Sequence, residues 1–216
     1  MNSETMGIFS EEEKEILQEI MNIAFGNATA DLAEAIDIFV VLSVPNIRVI
    51  NIGELSEYLR ANIEDSSETT IVDQKFQGDF SGSGFLVFPT GAKGNLISLL
   101  EDETVGASQN STESKPIMEK EFITEISNIL IGACVGKMTE LLNTFVTYSP
   151  PTIMQGNSNE YRFMIDNFDP KQSAIAMKTV FQFKQKNIEG FLLILTDQMS
   201  IGWLRKSLND FMKSYE

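Results

Sequence analysis

The sequence predicts an α+β fold in which one helix-strand-strand-strand-helix unit is used twice, with pseudo-twofold symmetry and a mostly antiparallel sheet flanked by two long helices. Three observations predict it. The chain matches itself at a constant offset of 106 residues, each half opens on a long helical pattern, and each helix is followed by short apolar runs bounded by turn residues.

The repeat is clearest between Glu15–Pro45 and Glu121–Pro151. Eleven of these thirty-one aligned positions are identical, among them Glu15/Glu121, Glu19/Glu125, Ile20/Ile126, Asn22/Asn128, Ile23/Ile129, Gly26/Gly132 and Pro45/Pro151. Average composition gives about two by chance. Gly84, Phe85, Leu86 and Thr90 match Gly190, Phe191, Leu192 and Thr196 at the same offset, so the duplication spans the chain. The expectation is a single domain of two repeats, about 10–103 and 116–214, joined by a polar surface linker over 104–115.

Ser10 and Glu13 read as a capping box opening a helix that runs to about Ala35, and Pro116 stands where a first-turn proline begins its counterpart. Each helix is about 40 Å long at 1.5 Å per residue. Ser43-Val44-Pro45 and Ser149-Pro150-Pro151 then stop the helical pattern, because proline disfavours helix in the residue before it. Strands are predicted over Asn46–Ile52, Thr70–Gln77 and Gly82–Phe88 in the first copy, and over Thr152–Gln155, Ala174–Lys184 and Gly190–Leu195 in the second. Closing helices are predicted over Gly91–Glu101 and Asp197–Lys213, with a short extra helix over Glu54–Leu59. Two such units can join their strands into one continuous sheet and so bury edges that would otherwise invite aggregation.

Composition removes several classes of function. The chain has no His and one Cys, Cys134, so an internal disulfide and the usual Zn, haem and Cys/His catalytic sets are excluded, and any general base must be a carboxylate. A net charge of −15 argues against nucleic acid or an anionic membrane as partner. That charge is uneven: residues 1–105 hold 5 Lys+Arg against 19 Asp+Glu, or −14, and residues 106–216 hold 11 against 12, or −1. Solvation of the surface accounts for such acidity without any special role. No apolar run approaches the ~20 residues that span a bilayer, and Met1-Asn2-Ser3-Glu4 does not begin a signal peptide. A cytoplasmic protein is expected.

Glu15, Glu19, Asn22 and Gly26 fall at i, i+4, i+7 and i+11, the last three within about 40° of Glu15 on one helix face. Glu121, Glu125, Asn128 and Gly132 repeat the stripe. Ile16, Ile20, Ile23 and Ala24 lie beside or behind it, and Ile20, Ile23, Ile126 and Ile129 are the expected core of the two helices. Glycine in mid-helix costs roughly 1 kcal/mol relative to alanine, so its place on both stripes suggests the close approach of another backbone, from a partner or from a second helix of the same chain. For Glu15 and Glu121, near helix N-termini, interaction with the helix dipole is explanation enough. Asn normally seeks caps and turns, so Asn22 and Asn128 deep inside helices mark positions where the carboxamide itself is wanted.

The pattern Glu-x3-Glu-x2-Asn-x22-Pro, present as Glu15, Glu19, Asn22, Pro45 and again as Glu121, Glu125, Asn128, Pro151, closely resembles the duplicated motif of the CheC/CheX/FliY chemotaxis phosphatases. The likeness covers the full chain, in the two-site form of the CheC type. Both copies depart from the family at the first position, where Asp or Ser is usual. The resemblance implies a phosphatase acting on the aspartyl phosphate of a CheY-like response regulator, which brings its own Mg²⁺; the chain needs no metal of its own. Asn22 and Asn128 would orient the attacking water, Glu19 and Glu125 would pair with a basic side chain of the regulator, and Glu15, Gly26, Glu121 and Gly132 would line the docking face. The competing expectation, from the same resemblance, is an interaction module that binds a CheD-like receptor deamidase. A carboxylate hydrolase acting on a small molecule is a third, and nothing in the sequence resembles the deep pocket or metal signature it would need.

Overall fold

Ser10 and Glu13 form the predicted capping box: the Glu13 amide donates to Ser10 Oγ at 3.0 Å, and the Ser10 amide donates to Glu13 Oε2 at 2.7 Å. This box opens helix α1 (Glu11–Ile36). The structure, a computed structural model, describes residues 9–36, 40–62, 69–90, 92, 115–156, 173–183, 188–196 and 198–213. After α1 come β1 (Val40–Leu42), β2 (Asn46–Asn51), α2 (Ile52–Asn62), β3 (Thr69–Gly78) and β4 (Gly82–Phe88). The second half supplies α3 (Lys115–Leu141), β5 (Val146–Tyr148), β6 (Thr152–Gly156), β7 (Ser173–Phe183), β8 (Ile188–Thr196) and α4 (Gln198–Lys213). The linker expected over 104–115 lies outside the described residues up to 114, and the closing helix expected over Gly91–Glu101 lies outside them except at residue 92.

The fold is α+β, with an eight-stranded sheet whose order is β1-β7-β8-β4-β3-β5; β2 also pairs with β7 and β6 with β3. Every pairing is antiparallel. At the centre β4 meets β8, from Gly82 opposite Thr196 to Val87 opposite Phe191. Outward from there the connectivity crosses over. β1 and β2 of the first half complete the sheet of the second by pairing with β7, and β5 and β6 of the second complete that of the first by pairing with β3.

The sequence reading did not contain β1 and β5. Each has three residues, too few to show a period of two, and each is defined by its partner strand rather than by its own composition. The two expected long helices, α1 and α3, flank the sheet together. Both lie on one face and pack against each other.

Alternation along β7 explains how the two faces are filled. Ile175, Met177 and Phe181 join the larger core under α1, α3 and α4, where Leu17, Ile20, Met21, Ile126, Leu130 and Cys134 are buried. Ala174 and Ala176 point to the other face, where α2 lays Ile52, Leu55 and Leu59 over Ile71, Phe85 and Leu193. Glu13, itself buried, turns inward at the start of α1 and accepts a hydrogen bond from Arg205 Nε of α4 at 3.3 Å, tying the two helices together.

The expected helix core holds at Ile20 and Ile126, which are 1% and 2% exposed, and fails at Ile23, which is 42% exposed. Ile129 is partly buried against the core. The phase explains the failure. Measured from Glu15, the buried residues Leu17, Met21, Ala24 and Ala28 sit at about 200°, 240°, 180° and 220°, and Ile23 at about 80°, nearer the polar stripe than the core.

Candidate functional site

The serine of each Ser-x-Pro segment explains why that motif recurs. Ser43 donates its amide to the Val180 carbonyl at 2.8 Å and accepts the Val180 amide on Oγ at 2.9 Å; Ser149 makes the same pair with Lys75, at 2.9 and 3.1 Å. The hydroxyl stands in for a backbone acceptor and extends the ladder one residue past β1 and β5. Pro45 then turns the chain, and its carbonyl accepts Gln18 Nε2 of α1 at 3.5 Å. The loop at the end of β1 is in this way held beside α1.

On α1, Glu15, Glu19 and Gly26 are exposed and Asn22 is half-buried; on α3, Glu121, Glu125 and Asn128 are exposed and Gly132 is half-buried. The stripes lie on the sides of their helices turned away from most of the buried residues, with six of the eight exposed and Asn22 and Gly132 half-buried. A Cβ built on Gly26 or on Gly132 would meet nothing within 4 Å. Close crossing of two helices among the described residues therefore does not account for either glycine.

Behind the second stripe two side chains reach up from the sheet. Gln74 of β3 donates Nε2 to Asn128 Oδ1 at 2.7 Å and to the Ser149 carbonyl at 3.1 Å. Tyr148 of β5 donates its hydroxyl to the Gly132 carbonyl at 3.3 Å. Burial, together with the nearby Cys134 thiol, pushes the Tyr148 phenol up to about 12, so it remains a donor across the physiological range. The thiol itself is fully buried and raised by desolvation, which makes it inert. Sequence reasoning missed Gln74 and Tyr148 because the contacts span 54 and 16 residues and carry no local signature.

Two cavities lie elsewhere. One of about 310 Å³ is lined by Asp79, Asn143, Trp203, Lys206 and Asp210, and one of about 290 Å³ by Asn46, Arg48, Tyr58, Asn62 and Lys178. Neither includes a stripe residue. Among the described residues no group of three or more Cys, Asp or Glu side chains comes together as a metal site, and no helix is long and apolar enough to cross a membrane. An open polar stripe can take a protein surface; it cannot enclose a small molecule.

No family model matches the sequence. Among solved structures the chain is similar to FliY from Thermotoga maritima, with a TM-score of 0.62 at 19% identity, over 97% of this chain and 100% of that one. It is similar to a chain of the FliM-SpeE complex from H. pylori, with a TM-score of 0.62 at 11% identity, over 94% and 97%. CheX from Desulfovibrio desulfuricans matches with a TM-score of 0.51 at 11% identity, over 82% and 99%. Likeness at these identities is a likeness of fold.

Proposed function

Because the chain has the fold of the CheC/CheX/FliY chemotaxis proteins, we propose that it is a phosphatase that removes the aspartyl phosphate of a CheY-like response regulator. The observation that carries this reading is the pair of Glu/Asn stripes, one on α1 and one on α3, turned away from most of the core, each with a glycine where an added Cβ would meet nothing within 4 Å among the described residues. Hydrolysis of an acyl phosphate asks the protein mainly to place water in line and to exclude other geometries. The oxygen of water bonds to phosphorus, the bond from phosphorus to the aspartyl oxygen breaks, and carboxylate and inorganic phosphate leave, the water's proton passing to solvent. Asn22 or Asn128, neutral and bifunctional, would hold that water. Glu19 or Glu125 would pair with a basic side chain of the regulator, with Glu15, Gly26, Glu121 and Gly132 as the docking surface. The regulator's own Mg²⁺ would balance the phosphoryl charge.

Replacing both Asn22 and Asn128 by Ala is expected to abolish most of the stimulated release of phosphate from a phosphorylated receiver domain, with the circular dichroism spectrum unchanged. A double variant as active as the parent would sink the assignment. A second reading is favoured by the same fold occurring in the FliM-SpeE complex: a docking module without chemistry, for which a CheD-like deamidase would be the partner. Partner binding that survives the double substitution while hydrolysis is lost separates the two.

A further inference from the structure

The two stripes are alike in sequence and unlike in what stands behind them. Gln74 is 1% exposed, and its Nε2 serves both the Ser149 carbonyl and Asn128 Oδ1, while its Oε1 is buried without a hydrogen bond. A backbone carbonyl only accepts, so the end of Gln74 that faces Ser149 and Asn128 must be the NH2. The unpartnered oxygen follows from meeting two acceptors at once. Asn128 therefore turns its carbonyl inward and its carboxamide plane is set. One lone pair of Oδ1 and both hydrogens of Nδ2 are left for whatever docks.

Strand register identifies the counterpart of Gln74. Phe181 lies opposite Leu42 as Phe76 lies opposite Tyr148, and Ser43 bonds Val180 as Ser149 bonds Lys75, which makes Thr179 the equivalent of Gln74. Thr179 Oγ1 donates to the Ser43 carbonyl at 2.6 Å, just as Gln74 does to the Ser149 carbonyl. The shorter side chain ends there. The Asn22 side chain has no hydrogen-bond partner among the described residues.

We propose that Gln74 is a positioning residue which presets the Asn128 carboxamide for the docked regulator, so that the α3 stripe is the better prepared of two sites that look identical in sequence. This rests on the phosphatase reading above. A side chain already held in its working orientation does not have to be ordered when the partner arrives, and near-attack geometry is reached more often.

The test uses the full chain and a CheY-type receiver loaded with acetyl phosphate and Mg²⁺. Asn22→Ala isolates the second site, and Asn128→Ala isolates the first. In the Asn22→Ala background, Gln74→Thr reproduces the arrangement of the first copy, keeping the bond to Ser149 and dropping the one to Asn128. Its kcat is expected to fall about three- to tenfold, the range one hydrogen bond of ordinary strength spans, with KM unchanged. The side-chain amide resonances of Asn128 should shift in the absence of any partner. In the reverse experiment, Thr179→Gln in the Asn128→Ala background should raise kcat.

Unchanged kcat in Gln74→Thr, or an inactive Asn22→Ala single variant, overturns the role of Gln74 and leaves the phosphatase reading standing. Wild-type activity in the Asn22→Ala, Asn128→Ala double variant overturns that reading and the inference with it. If Gln74→Thr does not fold, the decision passes to Thr179→Gln, and its failure to raise kcat overturns the proposal.

Discussion

At the scale of single residues, the two asparagines differ in stability terms as well as in preparation. The Asn22 side chain makes no hydrogen bond among the described residues, so Asn22→Ala gains helix propensity, up to about 0.7 kcal/mol. Asn128→Ala gains the same propensity and strips a partner from buried Gln74. The first change should therefore raise the melting temperature relative to the second, measured by calorimetry. Glu13 gives a pH prediction. Burial pushes its carboxyl up, but the Ser10 amide and the Arg205 guanidinium outweigh burial and hold it below the ordinary 4.5. A depressed carboxylate contributes stability above its unfolded pKa and loses it as pH falls through the folded one. The unfolding free-energy gap between the parent and Glu13→Gln is expected to be constant from pH 7 to about 5 and to shrink below 4.5. A gap that does not change on acidification would show that the Glu13 charge does not tie α1 to α4.

At the scale of elements, the long helices carry two opposed messages on one surface. Ile20 faces the core and Ile23 flanks the stripe, although both are repeated in the second copy. Truncating Ile20 to Ala should cost about 2 to 5 kcal/mol in denaturant unfolding. Truncating Ile23 should change stability by no more than about 0.5 kcal/mol, as for an ordinary surface site. If Ile23 belongs to the docking face, Ile23→Ala also weakens regulator binding. Equal stability losses at the two positions would put the helix phase in error. The helices differ in charge too. α1 carries seven carboxylates against Lys14 alone, and α3 carries four against three lysines. Part of that excess is answered locally, since Lys14 Nζ lies 2.7 Å from Glu11 Oε1 and Glu13 is paired with Arg205. A receiver's phosphorylated active site is itself acidic, so approach to α1 is the more repelled, most of all at 0.01 M salt where the Debye length is about 30 Å. At low ionic strength Asn128→Ala should therefore lose more activity than Asn22→Ala, with the difference narrowing as salt rises. The opposite order at low salt would refute the electrostatic account.

At the scale of the whole molecule, the exchange of short strands makes each repeat depend on the other. Residues 1–105 alone would leave β3 without β5 and β6, and would expose the edge of β4 that β8 covers; residues 106–216 alone would leave β7 without β1 and β2. Unpaired edges and half a core leave too little burial to offset chain entropy. Each half expressed separately is expected to be unfolded or aggregated by circular dichroism and sedimentation, and mixing the two from denaturant should restore a folded heterodimer. A half that folds alone as a monomer would refute the interdependence.

By itself the sequence determined the duplication, the helix starts, the longer strands and the eight stripe residues, because each is written in local terms: an offset, a capping box, a period of two or 3.6. Ile23 was expected in the core, and its exposure came only with the structure. The alignment of Leu17, Met21, Ala24 and Ala28 on one face places it on the flank. The tertiary structure alone decided which strand pairs with which, and so that β1 and β5 exist at all. It also decided that Gln74 stands behind Asn128 while Thr179 stands behind Ser43. In the sequence Gln74 and Thr179 are 105 residues apart, one short of the repeat offset, because β3 and β7 differ by one residue in their alignment with the rest of the repeat. Cross-strand neighbours are set by register, and register is a property of the assembled sheet rather than of any one segment.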